Sequence, residues 1–293
     1  MDAGYSEDHV RHSAYILTGH RVDMWDSWAA FYATDDHWVG PVEVLGFRDP
    51  NGDRNGRTVT VRYLRYLANH PATAQRVARR LCVRFVSDTP STAIVAAVAS
   101  AFTASGTDIR TALRALVAHP DFAAAVDAKV RAPAEDTIAA YRLLGARPSV
   151  PTGDESFARG IVWQLESQGN RPFDWPAPNG FPEAGAAWTS VGRVLLSLET
   201  HLSQAGGWWP SQDVTYPTVR QRLPAMPARF DAIVEHASRR MLQRPAGAAL
   251  QAAAGQLVGV GAATTFDSAA DFGEWRMTLL LATVLNSPAH AAR

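Results

Sequence analysis

The stretch from His70 to Phe85 constrains the fold more than any other. Pro71 can open a helix, because the first turn has no use for the N–H that proline lacks. Beyond it, Ala74, Val77, Ala78, Leu81, Cys82 and Phe85 fall at offsets 0, 3, 4, 7, 8 and 11. That spacing makes one apolar stripe on a helix of 3.6 residues per turn, and no stripe on a strand, whose side chains alternate. Arg76, Arg79, Arg80 and Arg84 take the remaining faces and read as a solvated surface.

The same pattern recurs along the chain, punctuated by caps and stops. Ser6 is an N-cap with Glu7 and Asp8 in the first turn, where the helix dipole favours acids. Tyr5 and Val10 fit a hydrophobic staple, Val10, Ala14 and Leu17 share a face, and Gly19 ends the helix. Further helices are predicted at 59–68, 71–85, 91–104 and 107–117, and from Pro133 to a stop at Gly145. A second group follows at about 155–167, 188–203, 228–243, 246–258 and 269–286. A short hairpin is expected near 42–47. The fold class is therefore all-α: an irregular helical bundle with long Pro/Gly/Trp-rich loops and little or no sheet. The expected organisation is an N-terminal helical half, 1–145, with an irregular insertion at 20–57, and a C-terminal half, 155–293. Residues 146–154 are the linker candidate, and the two halves could pack as one domain. Long loops at 169–185 and 205–227 mark places where function or motion tends to reside.

Composition removes whole classes of function. The 293 residues carry 28 Lys+Arg and 28 Asp+Glu. A net charge of zero offers no concentrated positive field for nucleic acid or an anionic membrane. The single cysteine, Cys82, excludes an internal disulfide, a zinc ribbon and c-type haem, and its place in an apolar stripe makes it inert core. No run of apolar residues approaches the roughly 20 needed to span a bilayer. The glycines at 259–261 lack a GxGxxG pattern on a strand, so no nucleotide site is expected. Met1 to Tyr5 has neither a basic nor an apolar leader region, so the chain read alone is a soluble cytoplasmic protein.

Two groups of residues could carry chemistry. Asp35, Asp36 and His37 place two carboxylates beside an imidazole in a polar loop, a set that can hold a divalent metal and activate water if His70 or His20 completes it. The same residues can equally serve turns and local hydrogen bonds. His70 also suits a helix cap. His9 and His12 are spaced i, i+3 without an intervening HExxH glutamate and read as polar helix surface. The second group is aromatic. Trp175 and Trp188 lie in a proline-rich loop with Phe173 and Phe181, and Trp208 and Trp209 precede Pro210. Such rings either plug a helical core or stack on a sugar or peptide.

Several stretches together resemble a bacterial family known only as domain of unknown function 1800. Tyr5-Ser6-Glu7-Asp8-His9-Val10 through Leu17-Thr18-Gly19 is similar to its "YTEEDVRELARALTGW" segment, and His70-Pro71-Ala72-Thr73-Ala74 to its "HPATA" helix start. Phe85 to Pro90, with Phe102 and Gly106 to Ile109, follows its "rFv.d.P…aF..sg.Dl" run. Pro172 to Pro182 followed by Trp188 resembles its "PF.wP.PdGyp…aW" loop, and Leu285-Asn286-Ser287-Pro288 its terminal "llaSPeF". The family's "HD.G.K" motif survives here only as His37. Family members look longer, so the chain reads as a C-terminal portion or a short member. The resemblance implies a helical, often exported envelope protein, commonly encoded beside a sulfatase-like family, domain of unknown function 1501. It suggests a binding or assembly role, with a sulfatase-like protein or a glycan as partner. Metal-assisted hydrolysis at Asp35, Asp36 and His37 is one alternative, and carbohydrate binding through Trp175, Trp188, Trp208 and Trp209 another.

Overall fold

The computed structural model describes residues 3–293. Helices dominate it, and among the described residues sheet is confined to four two-stranded antiparallel pairs. The all-α expectation therefore holds. Contacts divide the chain into two compact units, Met1–Ala124 and Ala125–Arg293.

The first unit opens with the helix Glu7–Leu17, capped as expected by Ser6. Its packed face differs from the one predicted. Ile16 is fully buried, whereas Val10 and Leu17 face solvent, because the helix is docked by polar contacts as well as apolar ones. The Glu43 amide donates to His12 Nδ1 (3.0 Å), and Tyr63 donates its hydroxyl proton to Ser13 (2.8 Å). The segment 20–57 is less irregular than its composition suggests. It forms two hairpins, His20–Val22 with Ala30–Tyr32 and Val42–Val44 with Phe47–Asp49. Val42 and Val44 join Ile16, Val59 and Tyr63 in a small core closed by the helix Arg57–Asn69. The helices Pro71–Phe85, Thr92–Ala104 and Ile109–Ala118 complete the unit. Ala74, Ala78 and Cys82 of the predicted stripe are buried, while Phe85 at its end is exposed.

The second unit is built on the helices Phe230–Leu242, Ala248–Val258 and Glu274–Leu285. Phe230, Ile233, Phe272, Leu280 and Leu285 are fully buried in its core. Each such side chain contributes about 1.5–3 kcal/mol relative to exposure. The single helix predicted at 269–286 is two helices, Ala269–Phe272 and Glu274–Leu285, parted at Gly273, whose φ of +82° ordinary residues avoid. Residues 146–154 lie inside this unit. Arg147–Pro148 pairs with Val214–Thr215, and Thr152 bonds the Asp213 carboxylate through both its amide and its hydroxyl (2.9 Å each). Against the core pack the helices Pro133–Leu143 and Val191–Gly206, which bring polar side chains into the interior.

Candidate metal centre

Asp136 enters the interior from the first turn of the helix Pro133–Leu143, next to Glu135. The helix dipole favours acids there, but burial of a carboxylate still requires partners. The helix Val191–Gly206 supplies three of them at four-residue spacing. Arg193, Ser197 and His201 lie one above another on the face turned toward Asp136. Arg193 Nη2 is 2.8 Å from Asp136 Oδ2, and Ser197 donates its hydroxyl to the same oxygen at 2.7 Å. Oδ1 faces His201 Nε2 at 3.2 Å and His290 Nε2 at 3.0 Å. His290 comes from the short helix Pro288–Ala291 and is held by the adjoining chain. Arg131 donates its Nε–H to the His290 carbonyl (2.7 Å), and the amides of Arg131 and Arg293 reach the carbonyls of Ala291 and Lys129.

The centre is closed: Asp136, His201 and His290 are each at most 3% exposed. Burial alone would push the Asp136 carboxyl up. The hydrogen bonds with His201, His290 and Ser197 outweigh it and hold the carboxyl well below the usual carboxylate range. Burial pushes His290 down against the pull of Asp136, favouring the neutral imidazole that a metal requires. Around the centre lies a polar layer. Tyr141 donates to Gln164 (2.9 Å), and Gln168 donates to the Thr137 hydroxyl (3.2 Å). His290 Nδ1 and Gln204 Oε1 are buried there without a hydrogen-bond partner.

One nitrogen of each imidazole and one carboxylate oxygen thus converge within 4.8 Å of one another. Donors bound tetrahedrally at 2.0–2.2 Å would stand about 3.3–3.6 Å apart, so the contacts to Oδ1 are close to what one ion needs. The outer partners match the arrangement that orients metal ligands. His201 Nδ1 lies 2.7 Å from the side-chain oxygen Oδ1 of Asn286, so an ion that replaced the Nε2–H bond to Asp136 would leave Nδ1–H to donate to Asn286. Ser197 and Arg193 hold the oxygen of Asp136 that the histidines leave.

The residues singled out from sequence lie elsewhere. Asp35 is paired with Arg54 (3.4 Å) and Asp36 with Arg21 (2.7 Å), both at the surface. His37 is buried, with Nε2 2.9 Å from Asn51 Oδ1 and Nδ1 3.0 Å from the Thr18 carbonyl. His70 caps its helix by accepting from the Ala72 amide (3.2 Å). Among the described residues, the one group of three or more His, Cys, Asp or Glu side chains with convergent ligand atoms is Asp136, His201 and His290. Of the four tryptophans, Trp188 is buried and donates to the Pro182 carbonyl (2.9 Å), and Trp175 is half-buried and donates to Asn179 (2.9 Å). Trp208 and Trp209 are exposed, each stacked on a ring the sequence reading passed over: Trp275 and Trp163.

The sequence model of a protein family of unknown function, DUF1800, matches residues 1–292. The chain belongs to that family. No curated protein and no solved structure is similar enough to match it. The DUF1800 stretches quoted above thereby acquire physical roles. The His70-Pro71 start is a capped helix, and the terminal Asn286-Ser287-Pro288 stretch delivers His290 while Asn286 orients His201. No helix is long and apolar enough to cross a membrane among the described residues.

Proposed function

We propose that this DUF1800 protein is a binding protein whose second unit is organised by one divalent transition-metal ion on Asp136, His201 and His290. The carrying observation is the convergence of three donor atoms within 4.8 Å, with a separate hydrogen-bonding partner behind His201 and behind Asp136. Two imidazoles and one carboxylate suit zinc and its neighbours in the first transition row; calcium and magnesium prefer all-oxygen shells. The burial of all three ligands fits an ion that fixes the fold around it rather than one that meets a bulky substrate. A binding or assembly role, including one beside a sulfatase-like protein, rests on the family resemblance. Hydrolysis at Asp35, Asp36 and His37 is the alternative, and it would require those side chains to leave Arg54, Arg21 and Asn51.

The test is elemental analysis of the chain purified without an immobilised-metal column. A stoichiometric transition metal is expected, lost in His201→Ala and kept in the Asp36→Ala, His37→Ala double variant. A metal-free wild type after reconstitution, or metal retained by His201→Ala, sinks the proposal. Loss in the double variant alone transfers it to the alternative.

A second reading, glycan binding, is favoured by ring geometry. Trp163 and Trp209 lie within 3° of parallel with centroids 6.1 Å apart, and Trp208 and Trp275 within 13° at the same distance. Gly206 is required beside them, since a Cβ there would lie 2.3 Å from the Trp208 indole. Titration with soluble oligosaccharides, followed by tryptophan fluorescence, should saturate in the wild type and not in Trp209→Ala. A flat wild-type titration removes this reading.

A further inference from the structure

The first hairpin carries a surface that neither reading uses. Its strands, His20–Val22 and Ala30–Tyr32, are joined by a turn that is firmly tied. The Asp23 amide donates to the Ala29 carbonyl (3.0 Å) and the Trp28 amide to the Asp23 carbonyl (2.9 Å). The Asp23 carboxylate accepts from the Ser27 hydroxyl (2.6 Å) and amide (3.3 Å). Within this turn Trp25 has φ +75° and Trp28 has φ +56°. These left-handed values are uncommon for a bulky side chain, and local strain of this kind gathers at functional sites. Glycine or asparagine would meet the same turn without strain.

What the strained turn holds outward is apolar. Val22, Met24, Trp25, Trp28 and Phe31 are all at least half exposed, and Trp25 reaches 82%. The two indoles meet edge to face, with centroids 5.3 Å apart and planes at 70°. A cluster of that size on one hairpin marks an interaction site. Side chains this exposed stand proud of the surface, so they suit a partner that yields around them. Between Val22 and Phe31 the only charged residues are Asp23 and Asp26, both acidic. Asp23 is spent on Ser27, while Asp26 stays exposed. An acidic, aromatic tip complements an ammonium group, which indole faces attract, and opposes an anionic surface, which recruits Lys and Arg.

We infer that this hairpin docks on a zwitterionic lipid surface, with Trp25 and Trp28 at headgroup level, where indoles settle, and Asp26 toward the headgroup ammonium. The inference is independent of the metal centre.

The test is co-sedimentation of the full chain with phosphatidylcholine vesicles, and with vesicles in which phosphatidylglycerol replaces part of the lipid. The wild type should sediment with phosphatidylcholine and bind more weakly as phosphatidylglycerol increases. Replacing Trp25 and Trp28 by serine should weaken binding about tenfold per tryptophan, the scale set by burial of one large apolar side chain. Asp26→Lys keeps both rings and should shift preference toward phosphatidylglycerol, so it decides the matter if the double variant does not fold. Failure of the wild type to sediment with phosphatidylcholine overturns the inference. So does equal binding by the folded double variant, or an Asp26→Lys variant that leaves the lipid preference unchanged. Binding of the tip to a protein pocket instead would appear as the first of these.

Discussion

Asp35, Asp36 and His37 adjoin one another in the first unit, whereas Asp136, His201 and His290 reach one another from three helices of the second. The neighbours in sequence are dispersed in space: one acid turns to Arg54, the other to Arg21, and the imidazole to Asn51 and Thr18. The distant residues converge on a single carboxylate oxygen. Adjacent side chains on the short 3-10 turn Thr34–Asp36 and the residue after it point in different directions: the two acids find exposed arginines with water to spare, while His37 turns inward. Side chains carried inward by helices have no water and must satisfy one another. Clustering in sequence is therefore weak evidence for a site, and shared burial is stronger.

That contrast can be broken most directly by removing one carboxylate from each group. Asp136→Ala leaves Arg193, His201 and His290 buried around a lost charge and should cost about 3–5 kcal/mol in denaturant unfolding. A cost near that of a surface acid would mean that the buried group tolerates water and the comparison fails. Next in size is Gly56→Ala, which probes whether His37 is as firmly placed as the buried triad. A Cβ at Gly56 would lie 2.2 Å from the His37 ring, which Thr18 and Asn51 hold on both sides. A loss of about 1–3 kcal/mol, read from thermal unfolding, is the expected outcome for such overpacking; an unchanged midpoint would show that the ring can swing away. Asn286→Ala sharpens the second-unit side. It frees the His201 tautomer without touching a ligand and should weaken metal affinity about 10–100-fold in competition with a chelator. Unaltered affinity would remove Asn286 from the site. The smallest effect belongs to Asp36→Ala, whose pair with Arg21 is solvent-exposed. It should change stability by less than about 1 kcal/mol, and a larger loss would show that the loop group is more than a set of surface pairs.

Much of the helical framework was legible. Ser6 and His70 cap their helices, Pro71 and Pro133 stand in first turns, and the helices at 157–167, 230–242 and 248–258 fall within a few residues of their sequence patterns. Each depends on groups within one or two turns. The candidate site was mostly illegible, since Asp136 and His290 are 154 residues apart and His290 lies on a four-residue helix with no periodic signal. One local clue existed. Arg193, Ser197 and His201 repeat every four residues along one helix, and a polar stripe of that kind, once packed inward, must meet something polar inside. The aromatic residues were legible as a class and not as individuals, because Trp188 turned inward and Trp208 outward from equally proline- and tryptophan-rich loops.

The amino-acid sequence by itself determined that the chain is helical, where most helices start and stop, that Cys82 has no disulfide partner within the chain, and that no apolar run reaches the roughly 20 residues a membrane-spanning helix needs. Capping, periodicity and composition act over a few residues, so they can be read without knowing the fold. Burial pushes the Cys82 thiol up, in keeping with the inert core position its helical stripe implied. Only the tertiary structure decided which polar residues lost their water. Asp136, His201 and His290 became a candidate metal centre, and Asp35 and Asp36 stayed a solvated surface, because desolvation depends on what packs from distant parts of the chain.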